Sequence, residues 1–194
     1  MSLGHFYDDF FSIVWLLWMI VWFVFARDVK VTIRRQAALS RLLNMALLLY
    51  AAALLWTPRV AIPGLSGRVV PASQWQFWTA LGAILTLLGL LFTVWARVYL
   101  GRNWSGVAAL KADHELITGG PYRWVRHPIY SGLALAFVGT AMAVERWRGV
   151  VAVALALIAI AQRIVVEERF MRQQFGAVYD RYAEHVRALV PGLI

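Results

Sequence analysis

The chain has 194 residues, of which 61% are hydrophobic and 15% charged, against about 45–50% and about 25% in soluble domains. Its mean hydropathy of +0.65 leaves too little polar residue for an exterior facing water on all sides. No cysteine is present, which excludes disulfides, thiolate metal sites and cysteine nucleophiles. The composition is that of a polytopic membrane protein.

A helix crossing the hydrocarbon layer needs about 20 mainly apolar residues, with about 17 as a practical minimum. Residues 10–26 carry no charge and meet that length. Their leader contains Asp8 and Asp9 and no small-x-small cleavage site follows, so the sequence predicts a retained helix rather than a cleaved signal peptide. Residues 42–57 reach the length with their flanks, and 69–96 pass it easily. The stretches 129–144 and 149–162 are marginal and read as a tight hairpin around Glu145-Arg146-Trp147-Arg148. Trp15, Trp18, Trp22, Trp56, Trp75, Trp78 and Trp95 read as bilayer-interface anchors in preference to ligand-stacking groups. Asn44 suggests a packing hydrogen bond, and Gly82 and Gly89 suggest close helix crossings.

The net charge of +9 is a matter of placement. Basic residues concentrate between spans one and two, between three and four, and at or after the end of five, leaving Arg59, Arg68, Arg146 and Arg148 on the other side. By the positive-inside rule the N-terminus lies outside and the C-terminus in the cytoplasm. The partners of this charge are anionic lipid headgroups, with no nucleic acid expected. The expected fold is therefore all-α, with about five transmembrane helices, a cytoplasmic lid segment and a C-terminal amphipathic helix. Residues 1–100 form a three-helix membrane anchor and residues 101–194 the functional core of one integrated domain.

The chemistry-bearing residues gather in that second half. Residues 101–132 are polar, glycine-rich and too long for a mere connector; their aromatic and apolar content predicts a folded lid or pocket wall. Arg126-His127-Pro128 leads into the fourth span, with Pro128 suited to the first helical position. Unpartnered N–H groups and the helix dipole could hold a small anion there; a plain capped helix with Arg126 at the headgroups is the equal alternative. Glu167 and Glu168 are neighbours, about 100° apart around a helix, so the sequence predicts that they cannot both face one spot. A salt bridge to Arg163 or Arg123 and a bond to a ligand's hydroxyls are both open for them. From Met171 through Phe175, Val178, Tyr182 and Val186 to Leu189, apolar residues recur every three or four positions, an amphipathic surface helix bent or broken at Gly176.

Several site types are missing. No P-loop, no G-x-G-x-x-G, no H-E-x-x-H and no G-x-S-x-G occurs. The four histidines have no metal-ligand spacing. A membrane enzyme built from what remains must borrow its reactivity from a cofactor.

Three ordered segments carry a resemblance: His114-Glu-Leu-Ile-Thr-Gly-Gly-Pro-Tyr122, then Arg126-His-Pro-Ile-Tyr-Ser-Gly132, then Glu167-Glu168 with Phe175-Gly176, Tyr179, Tyr182 and Pro191. Together they resemble the isoprenylcysteine carboxyl methyltransferases, part of a wider group of membrane phospholipid methyltransferases. Membrane sterol reductases share an R-H-P-x-Y-x-G segment usually continued by an acidic residue; Leu133 at that place favours the methyltransferases. The resemblance implies S-adenosylmethionine as cofactor, S-adenosylhomocysteine as product and no metal. It assigns cofactor contacts to His114, Leu116, Thr118, Gly120, Pro121, Tyr122, His127, Pro128, Tyr130, Gly132, Glu167 and Glu168. The donor's carboxylate would lie near Arg126 and His127, a glutamate would take its ribose hydroxyls or amino group, and Leu116 and Tyr122 would enclose adenine. A carboxylate acceptor calls for a cation, with Arg126, Arg163 and Arg169 available; an amine or thiol acceptor calls for a carboxylate such as Glu167, or a histidine.

The expected function is methyl transfer to a lipid-like or isoprenylcysteine-type acceptor. Compared with the family's eukaryotic members the chain has fewer spans and no basic residue just before its final proline, which suggests a prokaryotic cytoplasmic membrane, where prenylated proteins are not expected. A sterol-type reductase using NADPH and a non-catalytic transporter or scaffold are the alternatives; inverted repeats and intramembrane charge strings, the marks of transport, are absent from the sequence.

Overall fold

The computed structural model describes residues 3–26, 32–35, 37–56, 62–104, 109–111 and 115–192. In chain order they form α1 (Leu3–Phe25), β1 (Thr32–Arg35), α2 (Ala38–Trp56), α3 (Trp75–Leu100), β2 (Ala109–Lys111), α4 (Pro128–Val144), α5 (Trp147–Phe175) and α6 (Ala177–His185). The fold is all-α as expected, with one short addition: β1 and β2 pair antiparallel, with Arg34 opposite Leu110. Among the described residues three helices, α2, α3 with its flanking turns, and α5, are long and apolar enough to cross a membrane; the apolar part of α1 (Asp9–Phe25) and α4 are shorter. Large apolar side chains face outward along the helices, among them Leu16 and Phe23 on α1, Leu42 and Leu49 on α2, and Leu88 and Leu91 on α3. A water-soluble fold would bury such a surface; hydrocarbon solvates it.

The interior is held by small residues and side-chain hydrogen bonds. At Gly89 on α3 a Cβ would stand 2.5 Å from the Gly132 carbonyl oxygen of α4, and at Gly139 on α4 another would stand 2.5 Å from the Gly82 carbonyl oxygen. These two helices touch backbone to backbone, as expected for Gly82 and Gly89. Asn44 Nδ2 donates to the Ala159 carbonyl at 2.6 Å, tying α2 to α5. The tryptophans of α1 depart from expectation. Trp15 Nε1 donates to Thr140 Oγ1 at 3.1 Å and Trp18 Nε1 to Thr93 Oγ1 at 2.6 Å, so both indoles point into the bundle rather than to headgroups.

The fifth helix, expected to be marginal, runs for 29 residues. The apolar run ends near Gln162, yet ion pairs four residues apart carry the helix onward, Arg163 to Glu167 at 3.1 Å and Glu168 to Arg172 at 3.2 Å. Gly176, at φ +51°, ends it. The predicted amphipathic helix is thereby divided: Met171 and Phe175 belong to α5, only nine residues form α6, and Val186 is extended.

Candidate functional site

The cavity of about 400 Å³ lies where four pieces of chain converge. These are the C-terminal half of α1, the end of α3, the start of α4 and the charged part of α5, with Glu115, Leu116, Ile117, Tyr122 and α6 completing the wall. Pro128 opens α4 as predicted, with His127 before it. Residues 125–127 run beside the C-terminal segment: Arg126 N–H donates to the Arg187 carbonyl at 2.8 Å and His127 N–H to that of Ala188 at 3.0 Å. The motif is thus fixed from both sides, by its own helix and by chain sixty residues away.

His127 is buried between the two glutamates of α5. Its Nδ1 lies 3.7 Å from Glu167 Oε2 and its Nε2 3.4 Å from Glu168 Oε1. The expectation that these carboxylates could not meet one spot is corrected. Their backbones diverge, but two long side chains reach opposite nitrogens of one ring. Glu167 also accepts from the Tyr130 hydroxyl at 2.5 Å and from Arg163 Nε at 3.1 Å. The Arg163 guanidinium lies 5.6 Å from the Tyr130 ring centroid, and that ring stacks on His127.

Arg126 is committed to protein partners. Its Nε and Nη2 donate to Glu168 Oε1 at 3.0 and 2.6 Å, and its Nη1 donates to the carbonyls of Ala183 and Val186. The anion that meets Arg126 is therefore Glu168. In the cavity wall, the Tyr182 hydroxyl donates to the Tyr122 carbonyl at 2.5 Å. Burial pushes the Tyr182 hydroxyl up to about 12, and burial reinforced by Glu167 raises that of Tyr122 well above the usual tyrosine value. Both remain protonated donors at neutral pH.

Of the predicted site residues, Leu116, Tyr122, Arg126, His127, Pro128, Tyr130, Arg163 and Glu167 line the cavity together. Glu168 stands behind them, holding Arg126 and His127. Four others sit off the wall. Thr118 is exposed, Pro121 is buried in a 3-10 turn, Gly120 (φ +57°) lies under the Tyr99 ring, and Gly132 is spent on the α3–α4 crossing. His114 and part of the expected lid, residues 105–108 and 112–114, lie outside the described residues. Sequence reasoning missed Trp18, Trp22, Asn103 and Trp104, which line the same cavity. The signal was present: Trp15, Trp18 and Trp22 recur every three or four residues along one helix face, whereas interface anchors gather at helix ends.

Fold and site together define a helical membrane protein with a charged, aromatic-walled cavity at one end of its bundle. Residues 77–178 match the family model for phospholipid methyltransferases, just over half of the chain, and the chain belongs to that family. Among curated relatives it is 35% identical over 121 residues to a probable protein-S-isoprenylcysteine O-methyltransferase of Oryza sativa subsp. indica, covering 61% of this chain and 63% of the relative. It is likewise 35% identical over 127 residues to protein-S-isoprenylcysteine O-methyltransferase A of Arabidopsis thaliana, covering 62% and 64%. The chain thus spans less than two thirds of the length of these relatives. A solved structure titled as the eukaryotic intramembrane Ras methyltransferase ICMT shares the fold, with a TM-score of 0.56 at 19% identity over 80% of this chain and 52% of that one. These relatives are eukaryotic and lend the expected prokaryotic membrane no support.

Proposed function

We propose that the chain is an integral membrane methyltransferase that uses S-adenosylmethionine and methylates a lipid-like acceptor, with a carboxylate of the isoprenylcysteine type as the leading case. One observation carries this reading. A single cavity joins an apolar, aromatic wall (Trp18, Trp22, Leu133) to a charged one (His127, Arg163, Glu167). The wall residues suit the donor. Leu116, Ile117 and Tyr122 offer apolar surface for a base, and Glu167 offers carboxylate oxygens to hydroxyl or ammonium groups.

The bound cofactor supplies a methyl group already activated on a sulfonium, so the protein's task is alignment and exclusion of water. Arg163 is the acceptor's cation in this reading. It lines the cavity, whereas Arg126 is held by Glu168 and Arg169 is exposed. Glu167 and the Tyr130 ring fix the guanidinium so that it can meet a carboxylate without a long search. Five membrane passes with the cavity on the cytoplasmic side fit the charge distribution. The polar donor then arrives from water and the acceptor from the bilayer.

Calorimetric titration of the purified protein with S-adenosylmethionine, S-adenosylhomocysteine and NADPH tests the reading. The two adenosyl ligands bind and NADPH does not; binding of NADPH alone sinks it in favour of a reductase.

A further inference from the structure

Arg97 is the most deeply buried guanidinium described in the protein, 1% exposed near the end of α3. Its Nη1 donates to the Gly101 carbonyl at 2.6 Å and its Nη2 to the Phe25 carbonyl at 2.5 Å, so one side chain caps the C-terminal ends of both α3 and α1. Gly101 follows α3 directly and its carbonyl also accepts from Trp104 N–H at 3.3 Å, and the C-terminal end of a helix favours a cation. A lysine could not span both, since only the planar fork offers two separated donors. The same guanidinium lies over the Trp104 ring, 4.5 Å from its centroid.

Trp104 leads on to the cavity. Its ring meets Trp22 edge to face at 5.7 Å, and Trp22 stacks on Trp18 at 4.6 Å. Trp18 is pinned in turn by its bond to Thr93, one helical turn before Arg97. All three indoles line the cavity, and Arg97 itself is not among its lining residues.

We propose that Arg97 is a positioning residue for this cavity, holding Trp104, and through it Trp22 and Trp18, as a fixed tryptophan wall against which the bound ligand packs. The part concerning ligand rests on the methyltransferase reading above; the part concerning the wall does not. By joining α1 to α3, Arg97 makes the first helix, which lies outside the matched family region, an integral side of the site.

The test labels the full-length protein with 5-fluorotryptophan and reads fluorine NMR together with S-adenosylhomocysteine titration. Single Trp→Phe variants assign the lines of Trp18, Trp22, Trp104 and Trp147, the last a reference at the opposite end of the bundle. Arg97→Met shifts or broadens the Trp104 and Trp22 lines, leaves Trp147 in place and weakens S-adenosylhomocysteine binding at least tenfold. Arg97→Lys falls between. Unchanged Trp104 and Trp22 lines overturn the proposal, as does wild-type affinity in Arg97→Met. If Arg97→Met does not fold, Trp104→Ala keeps both carbonyl bonds and removes only the indole that links Arg97 to Trp22; a displaced Trp22 line with tenfold weaker binding supports the proposal, and wild-type values for both overturn it. Failure of the wild type to bind S-adenosylhomocysteine removes the methyltransferase reading, and the fluorine lines still decide the role of Arg97.

Discussion

The two ends of the bundle use the same residue types to opposite effect. At the end away from the cavity, Glu145 follows α4 in a left-handed conformation at φ +55° and pairs with Arg68, with the Thr79 hydroxyl 3.4 Å away. Trp147 and Arg148 N–H groups donate to the carbonyls of Gly67 and Leu65, and Arg146 Nη1 to that of Ser66 at 2.5 Å. These bonds stitch the 145–148 turn to the α2–α3 loop, and beside them Glu145 and Arg146 border a hollow whose other lining residues, such as Val69, Val138 and Val150, are apolar. At the cavity end, the charges surround a space. His127, Tyr130, Arg163 and Glu167 hold one another while presenting surface to it. A glutamate–arginine pair near the membrane boundary is therefore no mark of a site by itself. The distinction lies in what shares the space with the pair: apolar side chains beside Glu145, and a set of linked polar groups beside Glu167.

Substitutions at the two ends should separate accordingly. The largest effect belongs to the spine they share. Gly89→Val forces a side chain against the α4 backbone and should cost about 3 kcal/mol or more, read as loss of folded protein on gel filtration in detergent and of ligand binding with it. Next, His127→Ala leaves Glu167 and Glu168 without their shared partner. S-adenosylhomocysteine binding should fall about 30- to 100-fold while most of the thermal stability remains. Glu145→Gln should do the reverse, lowering stability by about 1–2 kcal/mol, modest because Arg68 is half exposed, with affinity within twofold of wild type. An affinity loss in Glu145→Gln equal to that in His127→Ala would erase the contrast between the ends. Smallest is Tyr182→Phe, which removes one hydrogen bond to the Tyr122 carbonyl and should cost about 1 kcal/mol in a melting measurement.

How much of this could be read in advance depended on distance along the chain. Pro128 starting α4 was legible from local helix chemistry, and the gathering of Leu116, Tyr122, His127 and Tyr130 only through the resemblance that their segments carry. Gly82 and Gly89 were legible for a different reason: their helical spacing presents one smooth face to whatever packs there. The Glu167–His127–Glu168 contact was misjudged because backbone angles around a helix say little about where the ends of long side chains meet. The length of α5 was misjudged because hydropathy stops at its first charges, whereas ion pairs four residues apart continue the helix. Trp18 and Trp22 share one helix face with Trp15, which marks a packed side, but the segments they help to enclose stand about eighty residues or more further on, so the spacing alone does not say what they face. Arg97 reads as one more basic residue in a basic loop until Phe25 and Gly101 are seen to share it.

The most direct test of the central claim is a crystal structure of the full-length protein with S-adenosylhomocysteine bound. The account predicts the ligand inside the cavity, within hydrogen-bond reach of Glu167 or His127 and in contact with the Trp22–Trp104 wall. A ligand bound elsewhere on the protein, with His127 and Glu167 closed on each other and the cavity filled by lipid, would contradict it.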